Sequence, residues 1–238
     1  MVDDLERADV LDTIDRLVAE LLRAARVEQP PVDAIALAQG HLGMAVLLDK
    51  RQGQRGRAQR SAGRKQIFLR PEPTEERHQW TVAHEIGEHF KSELIARLGL
   101  DPERTGRMTG ESLANLFAHR LLVPTIWLAS DAPDEDWDLL ALKRRYATSS
   151  HEVIALRLLD LPEPCIITIL DNGKITRRRS NAWPTRKRLE SIEEKCQRHV
   201  NANSRPCRLQ ADGWTVQGWP VHQLEWKREI LRSVVDIG

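Results

Sequence analysis

The sequence predicts an α+β protein in which several helices and one small sheet come first and a smaller α+β region follows. Three observations support this fold class. Apolar residues recur at helical spacing between residues 3 and 26. Two strand-like segments, 55–60 and 64–70, flank a turn and precede a long helical segment. The last third then changes to a hairpin, a polar helix and a tryptophan-rich stretch.

In the first half, the apolar spacing predicts an amphipathic helix over residues 3–26, which ends before Pro30 and Pro31. Pro31 is expected as the first residue of a second helix that closes near Gly40, because proline suits the first helical position. A strand over 44–49 follows. A small sheet therefore precedes the next helix.

The next helix is predicted to begin at Thr74 and to run to about Leu98. The Thr74 hydroxyl is expected to cap free backbone amides, and the two glutamates after it favour the positive end of the helix dipole. A further helix is predicted from about Gly110 until Pro124, because proline cannot continue a helix.

The second half begins with 129–138, an acidic, proline-containing stretch that is interpreted as a connector. Two short helices, 138–147 and 151–160, resemble a helix-turn-helix pair, although two packed helices are more often plain structure. A hairpin with Asn172-Gly173 at its turn comes next. The chain is thus expected to hold three parts: 1–125, a helical segment 126–161, and 162–238.

Composition and charge exclude several classes of function. The net charge of +1 argues against a chain that binds nucleic acid over its whole length, and the basic run 51–65 is interpreted as solvated loop. Direct nucleic-acid binding is therefore not expected. No apolar run is long enough to cross a bilayer, and the N-terminus is acidic where a signal peptide is basic. We therefore expect a cytoplasmic protein with no membrane partner. Three scattered cysteines predict reduced thiols.

The stretch TVAHEIGEHF, residues 81–90, nearly matches the H-E-x-x-H zinc motif. His84 and Glu85 fit it, but the second histidine is replaced by Glu88, and His89 comes one place late. On a helix, Glu88 lies about 40° from His84, whereas His89 lies about 140° away. A carboxylate binds zinc at nearly the distance of an imidazole, so Glu88 can serve as a ligand. The alternative, His89, requires a one-residue bulge in the helix.

A catalytic zinc usually has three protein ligands, so His84 and Glu88 need a third. Glu111 is the best candidate, because it opens the next helix and shares a face with Asn115 one turn later. Glu85 is then available as general base. Each residue alone also has an ordinary structural explanation, as a hydrogen-bonded histidine or a solvated carboxylate. Together, on two consecutive helices, they favour a metal site.

Gly87 lies between these residues and carries no side chain. At the point where the two helices meet, its absence of a Cβ would allow a close crossing. A plain packing contact is the simpler alternative for this glycine.

Four segments make the sequence resemble the ImmA/IrrE family of metallo-endopeptidases: PPVDAIALAQGHLGMAVLL, RHQWTVAHEIGEHF, ESLANLFAHRLLVP and YATSSHEVIALRLLDL. The resemblance implies a zincin-like peptidase domain over residues 1–125 and does not cover 165–238. It implies Zn²⁺ ligands His84 and Glu111, with Glu85 as catalytic base. Most members have histidine where this chain has Glu88.

The resemblance also implies a function, a zinc-dependent endopeptidase that cleaves a helix-turn-helix transcriptional repressor. An edge strand near the metal helix, 55–60 or 64–69, could hold the substrate in extended form. The alternative is a catalytically silent module that uses the same groove to hold a regulator.

Overall fold

The computed structural model describes residues 7–51, 53, 55–61, 64–101 and 107–235, with the side chains at 58, 60, 61, 64 and 107–111 outside the description. The chain forms two compact units. The first holds Met1–Leu128 and Arg145–Ser150, and the second holds Ala129–Arg144 and His151–Gly238. Helices and two sheets together confirm the predicted α+β class. None of the helices in the described ranges is long and apolar enough to span a membrane.

Within the residues that the structure describes, the first unit contains four helices and a three-stranded sheet, and a fifth helix starts in it. In chain order these are α1 (Arg7–Ala24), α2 (Ala34–Ala36, continued by a wider turn Leu37–His41), β1 (Ala45–Leu48), β2 (Gly56–Ser61), β3 (Arg64–Leu69), α3 (Glu75–Arg97), α4 (Arg107–Leu122) and α5 (Thr125–Asp134).

Helix α1 forms because its apolar residues repeat at helical spacing and bury one face, including Ile14, Leu17 and Leu21. Asp15 ties this helix to the end of α4. The Asp15 carboxylate accepts a hydrogen bond from the Thr125 hydroxyl at 2.7 Å and lies 3.2 Å from Nε of the buried Arg120. The predicted first helix is therefore confirmed.

The sheet has the order β1-β3-β2, so β3 is central. Strand β1 is parallel to β3, with Ala45 opposite Gln66, and β2 is antiparallel to β3, with Gly56 opposite Leu69. The two strands predicted around the turn at 61–63 are confirmed. Because β3 has partners on both sides, β1 and β2 form the outer strands of this sheet.

The expectation that Pro31 begins the second helix is wrong. The helix begins at Ala34, because the Asp33 side chain caps it by accepting a hydrogen bond from the Ala36 amide at 2.9 Å. Gln79 of α3 fastens this cap: its Oε1 accepts from the Ala34 amide at 2.7 Å and its Nε2 donates to Asp33 at 2.9 Å. Helix α3 is thereby docked onto the start of α2.

The long helix begins after Thr74 as predicted, but the Thr74 hydroxyl makes no capping hydrogen bond. The segment before α3 is held instead by Glu72, whose side chain is 3% exposed. Its carboxylate accepts hydrogen bonds from Arg70 at 2.8 Å and Arg77 at 3.1 Å. The hydrogen bond from Arg70 holds the pKa of Glu72 below its ordinary value.

The second unit is built on a five-stranded antiparallel sheet with the order β5-β4-β8-β7-β6. Its remaining elements are α6 (Leu139–Arg145, whose last residue belongs to the first unit), α7 (His151–Arg157, continued by a 3₁₀ turn Leu158–Asp160), β4 (Ile166–Asp171), β5 (Lys174–Ser180), α8 (Ser191–Asn203), β6 (Cys207–Ala211), β7 (Trp214–Gln223) and β8 (Trp226–Val235).

The predicted hairpin is confirmed, since β4 and β5 are joined by Asn172 and Gly173 with φ of 48° and 75°. The interpretation of 129–138 as a connector is wrong, because most of it lies in α5. That helix buries Leu128 and Ala132 on one side and reaches Pro133 only in its last turn. Burial of this apolar side stabilises a helix, although the acidic, proline-containing composition suggested a loop.

Helix α8 packs on the sheet of the second unit through Ile192, Cys196 and Val200, which contact Val216 and Leu231. Gly218 of β7 permits this approach, because a Cβ at that position would lie 2.7 Å from the Cys196 sulfur. All three cysteines are free thiols, and burial raises the pKa of Cys165 and of Cys196.

A buried ion pair fastens the start of α8 to the sheet. The Arg178 guanidinium on β5 donates two hydrogen bonds of 2.9 Å to the Glu193 carboxylate, and these side chains are 5% and 0% exposed. Glu193 also accepts from the Ser233 hydroxyl at 2.6 Å and from the Glu190 amide at 2.8 Å. Because four donors surround one carboxylate, loss of Arg178 would leave a buried charge without its counterion.

We expect Arg178→Met to lower the free energy of unfolding by about 3–5 kcal/mol, as does breaking a buried pair from one side. Urea unfolding followed by tryptophan fluorescence measures the change. Arg97→Met is the matched control, because Arg97 pairs with the half-exposed Glu20 at 2.6 Å and its loss should cost less than about 1 kcal/mol. Equal losses in the two variants would contradict this account.

Candidate functional site

The helices α3 and α4 cross closely at Gly87. A Cβ built on Gly87 would lie 2.9 Å from the Ala114 carbonyl oxygen and 3.2 Å from Cβ of Phe117. Neighbouring positions on this side of α3, including Ala83 and Leu94, are fully buried. The predicted role of Gly87, to remove a side chain where two helices meet, is confirmed.

His84 projects from α3 toward α4. Its Nδ1 lies 3.1 Å from Oδ1 of Asn115, and the Trp80 ring stacks on its imidazole with centroids 5.4 Å apart. Trp80 also faces His119 at 6.5 Å. The imidazole of His84 is therefore oriented from two sides, by an amide oxygen and by an aromatic face.

These contacts define how the two helices are aligned. Trp80 meets His119 and His84 meets Asn115, so the helices run antiparallel and each step of four residues along α3 matches a step of four back along α4. One further step brings position 88 opposite position 111. Glu111 belongs to α4, but its side chain lies outside the described residues, so its role as a ligand stays a prediction.

Glu85 is buried, with 9% of its surface exposed, where α3 passes the sheet. A Cβ built on Gly56, the first residue of β2, would lie 3.2 Å from Oε1 of Glu85 and 2.3 Å from Cγ2 of Thr81. Lys65 of β3 donates to the Glu85 backbone carbonyl at 3.5 Å. The carboxylate of Glu85 therefore lies beside the beginning of an outer strand.

Glu88 and His89 differ in their surroundings. The Glu88 side chain is 31% exposed and its carboxylate lies 3.7 Å from Nζ of Lys91. His89 is exposed and its ring meets Phe90 edge-on at 4.9 Å. Helix α3 is α-helical from Glu75 to Arg97, without the bulge that His89 would need to reach the face of His84.

Among the described residues, no group of three or more His, Cys, Asp or Glu side chains is arranged to hold a metal ion. Two donors of the predicted set, His84 and Glu88, lie one turn apart on a regular helix. Metal-bound histidines commonly use their second ring nitrogen in a hydrogen bond to an oxygen, and Asn115 supplies such an oxygen to His84. These donor types are ones that bind Zn²⁺, and a third ligand at Glu111 stays a prediction.

Three further residues contribute to this site: Trp80, Gly56 and His119. Spacing carried a signal for two of them. Trp80 lies one turn before His84 on α3, and His119 lies one turn after Asn115 on α4. Each therefore lies on the side of its helix that faces the other helix. No sequence signal pointed to Gly56, because its position depends on how the sheet meets α3.

Comparison with known proteins identifies a family and solved structures of similar fold. The family model of the M78 peptidases, described as IrrE N-terminal-like domain, matches residues 39–159. No curated protein matches the chain. A solved structure described as a Mycobacterium tuberculosis transcriptional regulator is similar in fold, with a TM-score of 0.66 and 17% identity, over 95% of this chain and 80% of that chain.

We expect Gly87→Ala to lower the free energy of unfolding by about 1–3 kcal/mol, because the new methyl group would meet the α4 backbone. Thermal or urea unfolding tests this. Gly40→Ala is the matched control, since a Cβ at Gly40 meets nothing within 4 Å and alanine restricts the unfolded chain. The close crossing would be refuted by a Gly87→Ala protein as stable as the Gly40→Ala protein.

Proposed function

The chain belongs to the IrrE N-terminal-like family of M78 peptidases, which confirms the resemblance in its sequence, and we propose that it is a zinc-dependent endopeptidase. The observation that carries this proposal is the pairing of His84 with Asn115 across two helices, beside the buried Glu85. A histidine oriented by an amide and a neighbouring buried carboxylate are the parts that metal-assisted peptide hydrolysis needs.

His84, Glu88 and Glu111 are the proposed ligands of Zn²⁺. When bound there, zinc supplies Lewis-acid polarisation of the peptide carbonyl. Asn115 holds the His84 ring in one orientation through Nδ1, and Trp80 limits its rotation by stacking. Glu88 is a carboxylate where most members have histidine, so the set carries more negative charge.

Glu85 is the proposed general base. Its carboxylate is buried beside the start of β2, and it directly follows His84 in the chain. In the proposed reaction Glu85 takes a proton from the water that attacks the peptide carbonyl carbon. It then gives that proton to the amine nitrogen as the carbon–nitrogen bond breaks, so that a carboxylic acid and an amine are released.

The outer strand β2 is the proposed guide for an extended substrate. An edge strand offers unpaired backbone groups to which a peptide can add as a further strand. Gly56 at the start of β2 lies beside Glu85, so a peptide bound along β2 would pass the base. The alternative guide, 64–69, is wrong, because β3 is paired on both sides.

The proposed substrate is a helix-turn-helix transcriptional repressor. The family resemblance supports this choice, and the similar structure is described as a transcriptional regulator, which is consistent with regulator association. A second candidate function is a catalytically silent module that holds the regulator, and the Glu88 carboxylate favours it by weakening the Lewis acid.

We expect Glu85→Gln to retain fold and zinc but to lose cleavage by a hundredfold or more, about the loss expected when a general base is removed. Cleavage of a purified helix-turn-helix repressor that the wild-type protein cuts, followed on a gel, measures the loss. Glu93→Gln is the matched control, because Glu93 lies on the same helix and pairs with Arg97 away from the site. Wild-type cleavage by the Glu85→Gln protein would reject the mechanism.

Zinc content in two single variants tests the ligand set. We expect Glu88→Ala to lose zinc and His89→Ala to retain it, because the regular helix turns His89 away from His84. Both proteins are loaded with zinc, dialysed and measured by atomic absorption at equal folded concentration. The reverse result would favour His89, and a wild-type protein that takes up no zinc would favour the silent module.

A further inference from the structure

The net charge of the chain conceals an uneven distribution. Residues 162–238 contain 14 Lys or Arg and 9 Asp or Glu, which leaves residues 1–161 with 22 and 26 of the totals of 36 and 35. The C-terminal segment therefore carries +5, and the remainder of the chain carries −4. Positive charge attracts an anionic partner where it is concentrated on one surface, so the position of these cations in the fold decides what they can bind.

Much of this positive charge lies along one edge of the second unit, which we name the basic edge. It consists of the outer strand β5 and the loop that follows it, and its exposed cations are Lys174, Arg177, Arg179, Arg186, Lys187 and Arg188.

The loop is tied to the strand at both ends. The Thr185 hydroxyl donates to the Arg178 carbonyl at 3.1 Å, and the Arg178 side chain reaches Glu193 just beyond the other end of the loop. Arg186, which follows Thr185, is therefore held next to β5, and Lys187 and Arg188 extend this cluster of cations along the loop.

Few acidic groups neutralise this cluster. Arg177 lies 3.2 Å from Glu152, but the same carboxylate also accepts from Arg228 at 2.5 Å. Glu193 is already paired with Arg178, and Glu190 caps α8 through its side chain. Within the described residues, Arg179, Arg186, Lys187 and Arg188 take part in no ion pair.

We infer that the basic edge binds the phosphate backbone of duplex DNA. Strand β5 has seven residues, so it presents cations over about 20 Å, a length along which a duplex carries about a dozen phosphates. Four of the six cations are arginines, whose planar guanidinium groups bind phosphate with two hydrogen bonds.

Two other anionic partners, a lipid surface and a single-stranded nucleic acid, fit this edge less well. No exposed large apolar side chain lies between residues 174 and 188 that would anchor this edge in a lipid surface. Single strands need open aromatic faces for base stacking, but Trp183 is half-buried, and the nearby Trp226 ring is covered by the Arg228 guanidinium at 4.6 Å. The basic edge is therefore suited to contact the phosphate backbone of a duplex and not to recognise its bases.

Binding of the full-length protein to a labelled DNA duplex about two helical turns long tests the inference. Fluorescence anisotropy gives the association constant at KCl concentrations between about 50 and about 200 mM. We expect binding that weakens with salt. Replacing Arg179, Arg186, Lys187 and Arg188 by glutamine should reduce the slope of log K against log salt by about 3 to 4, since each phosphate contact contributes about 0.9.

A control variant removes the same charge elsewhere. Arg7, Arg23, Lys50 and Arg144 are exposed cations outside the basic edge, and their replacement by glutamine should leave the slope unchanged. A second test variant changes only Arg186, Lys187 and Arg188, which lie in a loop, so it remains informative if the strand substitution impairs folding. Thermal unfolding establishes that each protein is folded.

The inference is overturned by absent binding at about 50 mM salt or by equal losses in test and control variants. Displacement of the duplex by polyglutamate as efficiently as by unlabelled duplex would show a general anion contact, and tighter binding of a single strand would reject the duplex. Glu85→Gln should bind DNA as the wild type does, so this result is independent of the proposed peptidase.

Discussion

The close crossing of α3 and α4 at Gly87 is the constraint on which the candidate site depends. Two helices can approach this closely only where one carries no side chain, and here the backbone of α3 meets Ala114 directly. Because the helices run antiparallel, contact at this point aligns two polar stripes, Trp80–His84 on one helix and Asn115–His119 on the other. The orientation of His84 is therefore a consequence of packing.

The sheet adds the second element of the site. Lys65 and Gly56 bring β3 and β2 against the turn of α3 that holds Glu85, so that a carboxylate lies buried next to an outer strand. At Gly56, as at Gly87, the missing Cβ is what permits the approach. The same helix thus meets α4 on one side through His84 and the sheet on another through Glu85, which keeps a ligand and a base on adjacent positions.

The second unit is organised by buried charge. Arg178 and Glu193 lie inside it with both oxygens of the carboxylate paired, which joins β5 to α8. Arg178 is the one inward arginine of the run Arg177-Arg178-Arg179, because strand geometry turns alternate residues to opposite faces. Its neighbours are consequently exposed, and the same alternation that secures the core produces the basic edge.

The sequence by itself determined most of the elements and supplied the candidate donors. Helical periodicity located α1, the Asn172-Gly173 turn located the hairpin, and local spacing alone placed Glu88, not His89, on the face of His84, since a regular helix requires no tertiary information. Tertiary structure decided the rest. Helix α2 begins after Asp33 and not at Pro31, because Gln79 of α3 hydrogen-bonds to Asp33 and to the Ala34 amide and so holds the cap in place. Burial of Leu128 and Ala132 stabilises a helix where a connector was expected. The order of strands in the sheet decided that β2, and not β3, is an outer strand. These outcomes depend on contacts between residues far apart in the chain, whose energies local patterns do not contain.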